Sequence, residues 1–231
     1  YLPKSYIDSL KENYDENLLK AYLNGQFVNL QKGICYNGFD RKRNIRECKY
    51  NPNLPIHCGI DFNVQPMACC IIQEQPNSPQ IRVIDEILLT QDGSGDLLTE
   101  RMMNTIKQKY PSRKYNAYPD ATGAARHSSS RFSDIQIIQR SNFIVHVRHI
   151  NPLVINRVNS MNNNLSKGNI VIDPKCKNLI RDLEQVVLKE GTREIDKASN
   201  SELSHISDAL GYYVDYKHPT IRAKIGTFGD R

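Results

Sequence analysis

Much is missing from this chain, and each absence narrows what it can be. No run of about 18 apolar residues occurs, so no helix is expected to cross a membrane. No GxxxxGK[ST] motif occurs, so ATP hydrolysis by that route is not expected. None of the cysteines (Cys35, Cys48, Cys58, Cys69, Cys70 and Cys176) forms a CxxC pair, and no Cys/His cluster has zinc-finger spacing. Cys58, Cys69 and Cys70 lie in apolar stretches and read as buried free thiols, which points to a reducing compartment without a disulfide framework. No internal repeat is visible. No signal-peptide pattern follows Tyr1, which stands where a Met would begin a complete protein, so a piece of a longer chain is expected.

What is present suits one sizeable domain, or one domain plus a short appendage: 231 residues and a mildly basic net charge of +6. That charge permits a polyanionic partner without requiring one.

The first 34 residues hold two short helical patterns, the second with Asp15 as N-cap and Gly25 as stop. "GICYNGF" reads as a short strand, and residues 40–56 as a basic, proline-punctuated loop. From His57 the pattern changes. "HCGIDF", "MACCIIQEQ" and "QIRVIDEILLTQ" predict an antiparallel three-strand meander. Leu97, Leu98, Met102 and Ile106 then recur at helical spacing, and Pro111 closes that helix. Strand "YNAYPD", helix "RFSDIQIIQR", strand "FIVHVRHI", helix "PLVINRVNSMNNNLS", strand "NIVIDP" and helix "CKNLIRDLEQVV" follow. "VLKEGTREID" predicts a hairpin, and "SELSHISDALGYYVDY" a last helix. The tail after it has no core pattern and is expected to be loose. The order predicts an α/β mixed β-sheet flanked by helices.

Three elements each carry one prominent aspartate. Asp61 lies on the first core strand, Asp120 ends "YNAYPD", and Asp208 lies beside the apolar face of the last helix, one turn after His205. An ionised carboxylate in a core strand is expensive unless paired, solvated or holding a cation. If the first strand and the next parallel strand are neighbours and the last helix crosses their ends, the three carboxylates converge. Two carboxylates about 4 Å apart repel by roughly 4 kcal/mol at an effective dielectric near 20. A divalent cation reverses that sign, and hard oxygen donors suit Mg²⁺ or Mn²⁺. Two such ions can activate water and stabilise a leaving oxygen in phosphodiester hydrolysis.

The strand order, with Asp on the first strand, at the end of the fourth and on a C-terminal helix, resembles the ribonuclease H-like superfamily. More narrowly, "GIDFNVQP", "YPDATG" and "ELSHISDALGYYV" resemble the nuclease domain of the large terminase subunit of tailed bacteriophages, over residues 33–217. The resemblance implies a metal-dependent endonuclease that cuts concatemeric double-stranded viral DNA during packaging, in the host cell cytoplasm. Asp61, Asp120 and Asp208 would be the ligands of two Mg²⁺ or Mn²⁺ ions, with Asp61 shared by both. His205 would support the site or handle a proton. Residues 1–34 would join a missing ATPase domain, residues 35–217 would form the nuclease domain, and 218–231 a flexible tail. Portal protein and small terminase subunit are the partners implied for the full-length protein, while the isolated domain is expected to be monomeric.

The hairpin around Gly191 resembles the family's hairpin beside the active site, which makes Lys189, Arg193 and Lys197 candidates for DNA contact, with Arg126 in "GAARHSSS". Arg41, Lys42, Arg43, Arg222 and Lys224 are further candidates, although such charges are more often a solvated face. Such phosphate contacts would be salt-dependent and sequence-independent. Glu86, Glu100 and His127 are possible helpers. Tyr115, Tyr118, Tyr212 and Tyr213 read as packing residues rather than base-stacking ones. Two alternatives stay open: a Holliday-junction resolvase of the same superfamily, and a module that docks on DNA or portal without chemistry.

Overall fold

The computed structural model describes residues 33–63, 65–93, 97–125, 132–189, 191–192, 194–196 and 203–220. The expected leading helices and most of the expected loose tail lie outside them. A one-turn helix α1 (Arg41–Asn44) precedes the meander β1 (Ile56–Asp61), β2 (Met67–Glu74) and β3 (Ile81–Leu89). Helix α2 (Leu98–Lys109), β4 (Tyr115–Pro119), α3 (Asp134–Arg140), β5 (Ile144–Val145), α4 (Val154–Ser166), β6 (Ile170–Ile172), α5 (Lys177–Gln185) and α6 (His205–Lys217) follow. The strands form one mixed six-stranded sheet in the order β5-β4-β1-β2-β3-β6. β4 lies parallel to β1 on one side and to β5 on the other.

β1 is buried along its whole length, which is why it reads as an apolar run. Its side chains alternate. Ile56, Cys58 and Ile60 join Met102, Met103 and Ile106 of α2 in one core. Asp61, Gly59 and His57 fall on the opposite face, where Leu165 of α4, Leu179 of α5 and Leu210 and Tyr213 of α6 build the second core. Each aliphatic side chain withdrawn there stabilises the fold by about 1.5–3 kcal/mol.

Helix α6 is buried from His205 to Asp215. It crosses β1 so closely that a Cβ on Gly59 would stand 2.2 Å from the carbonyl oxygen of Ala209. No side chain of its own caps its start: Ser204, in the left-handed region at φ 82°, makes no such bond. Asp182 of α5 does this work instead, accepting from Ser204 N at 3.0 Å and Ser207 N at 3.3 Å. At the other end Glu74 accepts from the Tyr213 hydroxyl and pairs with Lys217 Nζ at 3.2 Å.

Three expectations need correction. "GICYNGF" is no strand: Ile34 makes one bridge to Val187 and a turn follows. Asn162 of α4 holds that turn, donating to Cys35 O and accepting from Gly38 N, and Gly38 lies directly on the Asn162 backbone. Residues 40–56 are not all loop, because Asp40 caps α1 and buried Asn44 donates to Leu165 O and Ile170 O. The strand expected over "FIVHVRHI" shrinks to two residues, after which the chain turns back toward β4. The hairpin is present: Leu188 bridges Ile195, Lys189 N donates to Glu194 O, and Gly191 takes φ 69°. All six cysteines are buried free thiols. Among the described residues no helix is long and apolar enough to cross a membrane.

Candidate active site

Asp61 and Asp120 stand at the same end of two adjacent parallel strands. The register Ile60↔Pro119 brings them level, and Asp120 N donates to Ile60 O at 3.0 Å. Past Pro119 the chain leaves the sheet in a 3-10 turn (Ala121–Ala124), and Asp120 caps it by accepting from Thr122 N at 2.7 Å. The loop after β5 returns Asn151 to this point. Its amide donates to the same Asp120 oxygen and its carbonyl accepts from Ala121 N. The other Asp120 oxygen accepts from the Tyr212 hydroxyl at 3.0 Å.

Asp208 enters from the first turn of α6 and is 4% exposed. Arg157 of α4 donates to its Oδ1 at 2.7 Å. The guanidinium lies over the Tyr212 ring, 4.4 Å from its centroid, and Arg157 is itself buried. His205, at the head of α6, places Nδ1 3.2 Å from Asp61 Oδ2 and meets the Asn63 amide at 3.1 Å.

Burial, with the charges of Asp208 and Asp120, raises the Asp61 pKa above the usual carboxylate value, against the hydrogen bond and charge of His205. The three aspartates thus share one end of the sheet and Asp61 feels both others. Each also has its own partner, and among the described residues no three His, Cys, Asp or Glu side chains are grouped to hold an ion.

Comparison by sequence with protein-family models and with curated proteins gives no match. Comparison by structure does. The large terminase of a thermophilic bacteriophage superposes with a TM-score of 0.68 at 18% identity, over 93% of this chain and 52% of that one. The chain has the ribonuclease H-like fold of terminase nuclease domains. It spans about half the length of that large terminase. The nuclease domain of the P22 large terminase matches 81% of this chain and 94% of its own, with a TM-score of 0.60 at 10% identity. The SPP1 large terminase nuclease domain, solved with bound Mn, matches 78% of this chain and 97% of its own, at 0.50 and 19%.

Within this terminase-nuclease fold the remaining expected residues scatter. Glu86 on β3 accepts from Asn178 N, Asn178 Nδ2 and Leu179 N, so its carboxylate serves the start of α5. Glu100 lies exposed in the first turn of α2. Lys189 on the hairpin pairs with Glu194 at 3.0 Å. Arg126, His127, Arg193, Lys197, Arg222 and Lys224 lie outside the described residues. Tyr212 is more than packing, since it reaches Asp120 and carries Arg157. Arg157, Asn151 and Asn63 were not singled out by sequence. The one signal for Arg157 was a cation on a helix otherwise free of charge.

Asp182 governs the presentation of His205 and Asp208, because it caps the helix that carries them. Burial pushes its carboxyl from 3.8 up to about 6, against the backbone N–H of Ser207, the charge of Arg181 and the N–H of Ser204. The folded state therefore favours the proton. This stabilisation is full below pH 3.8 and lost as pH rises through about 6. It amounts to about 3 kcal/mol. Asp182→Asn keeps an acceptor without the buried charge. Its melting temperature is expected to fall less than that of the unsubstituted protein between pH 5 and pH 7.5. Parallel pH profiles would refute this account.

Proposed function

We propose that the chain is the nuclease portion of a phage DNA-packaging terminase large subunit, a metal-dependent endonuclease that cuts concatemeric double-stranded viral DNA. What supports this reading is that Asp61 and Asp120 end adjacent parallel strands of a sheet with the fold of terminase nuclease domains, near enough to Asp208 for the charges of Asp120 and Asp208 to act on Asp61. The donor set suits Mg²⁺ or Mn²⁺: three buried carboxylates, all hard oxygen donors. The Mn bound in the SPP1 domain is in keeping with that choice.

Asp61 would be shared by two ions, with Asp120 and Asp208 each completing one. Such ions supply an activated water and charge stabilisation at a leaving oxygen. His205 would orient Asp61 and handle a proton, with Asn63 fixing its ring. Asn151 and Tyr212 hold the Asp120 carboxylate in register. Lys189, with Arg126, Arg193 and Lys197, would contact DNA phosphates. In the whole protein the partners would be the portal and the small terminase subunit, in the host cytoplasm.

A plasmid-nicking assay with Mg²⁺, Mn²⁺ or EDTA tests this, run beside Asp120→Asn and Asp208→Asn. Cutting is expected only with a divalent ion, and is expected to be lost in both folded variants. Cutting in EDTA, or variants as active as the unsubstituted chain, would overturn it. DNA affinity indifferent to EDTA, with no cutting under any ion, would favour a docking module.

A further inference from the structure

Arg157 is a buried cation with no place in the expected ligand set. It lies on α4, outside the three motifs that carry the aspartates, and is 6% exposed. A guanidinium taken from water needs a full set of partners. The partners of Arg157 at the carboxylate cluster are Asp208 Oδ1 at 2.7 Å and the Tyr212 ring at 4.4 Å. The Tyr212 hydroxyl in turn holds Asp120. One cation thereby steadies two of the three aspartates, directly and through one aromatic ring. Arg157 packs on the α6 surface at Gly211, where an added Cβ would stand in ordinary contact with Nε at 3.5 Å.

Resting on the metal-dependent reading above, we infer that Arg157 is the resident counter-ion of the cluster. It holds Asp208 in place before a divalent ion is bound, and it competes with that ion for the Asp208 carboxylate. Its charge opposes the ion directly, and its hydrogen bond occupies one of the two Asp208 oxygens an ion could use. The cluster is thus stable without metal at the cost of weaker metal binding. A residue that merely positioned Asp208 for the ion would act in the opposite direction on affinity.

Mn²⁺ affinity, read by calorimetry and by the spin-resonance signal of free Mn²⁺, separates these roles. Arg157→Gln is expected to bind Mn²⁺ at least tenfold more tightly than the unsubstituted chain and to melt at a lower temperature in EDTA. Arg157→Lys, which keeps the charge, is expected to stay within about threefold of the unsubstituted affinity. Equal or weaker binding by Arg157→Gln, with binding by the unsubstituted chain abolished in Asp61→Asn, would overturn the inference and leave the metal site standing. No binding by any of these proteins would overturn both.

Should Arg157→Gln not fold, the Arg side-chain nitrogen spectrum of the unsubstituted chain gives the answer. The Arg157 Nε–H signal is assigned by its absence from Arg157→Lys. Its movement on Mg²⁺ titration supports displacement, and a signal unmoved at saturating Mg²⁺ refutes it.

Discussion

If the proposed function holds, Asp61→Asn is expected to give a folded protein whose DNA cleavage has fallen by roughly 10³-fold or more. The size follows from several kcal/mol of ion-borne stabilisation, at 1.36 kcal/mol per factor of ten. Asn keeps the size of Asp and an oxygen that can face His205, so the fold is not asked to move. The substitution also removes a buried charge that two neighbouring carboxylates oppose. In EDTA the variant is therefore expected to melt no lower than the unsubstituted protein, whereas its stabilisation by Mn²⁺ should vanish. Nicking assays paired with melting curves in EDTA and in Mn²⁺ check both halves. Full metal-dependent activity would remove Asp61 from the mechanism. Lost activity with a collapsed melting transition would show that Asp61 maintains the fold instead.

Gly59→Ala is the other large effect, and it is steric. The new methyl carbon would begin 2.2 Å from Ala209 O and 3.3 Å from Tyr213 Cβ. Ordinary contact needs more than 3.4 Å, so α6 must lift from β1 by about 1 Å. Over-packing of this kind costs about 3 kcal/mol, which in a domain of this size lowers the melting temperature by roughly 6–12 °C. His205 and Asp208 ride on α6, so cleavage should fall even at temperatures where the variant stays folded. Gly93→Ala is the control: its φ of 77° imposes some strain, but nothing lies within 4 Å of the added carbon. Near-equal melting temperatures for the two variants would refute the close-crossing account.

The sequence exposed the frame of the site better than its supports. β1, β2 and β3 were legible because β-branched and thiol side chains fill them, and Asp61 because a carboxylate interrupts such a run. The last helix was legible through Leu203, Ile206, Leu210 and Tyr213. Arg157 and Asn151 were not, because each is a polar residue with no motif to mark what it would face. Only the fold brings α4 against α6 and turns the chain after β5 back to Asp120. Asn44 and Asn162 failed in the same way: an asparagine that satisfies distant backbone groups looks, in sequence, like any solvated amide.

The crossing at Gly59 also tells something about recognition among distant sequences. A carboxylate can be exchanged for another and still hold a cation, but nothing replaces missing space. Gly59 and the small Ala209, 150 positions apart, meet beside Asp61 and Asp208 and form with them one steric unit spread over two motifs. A search pattern that scores the vacancy beside each acid, as well as the acids themselves, would find chains of this kind where overall similarity has fallen away.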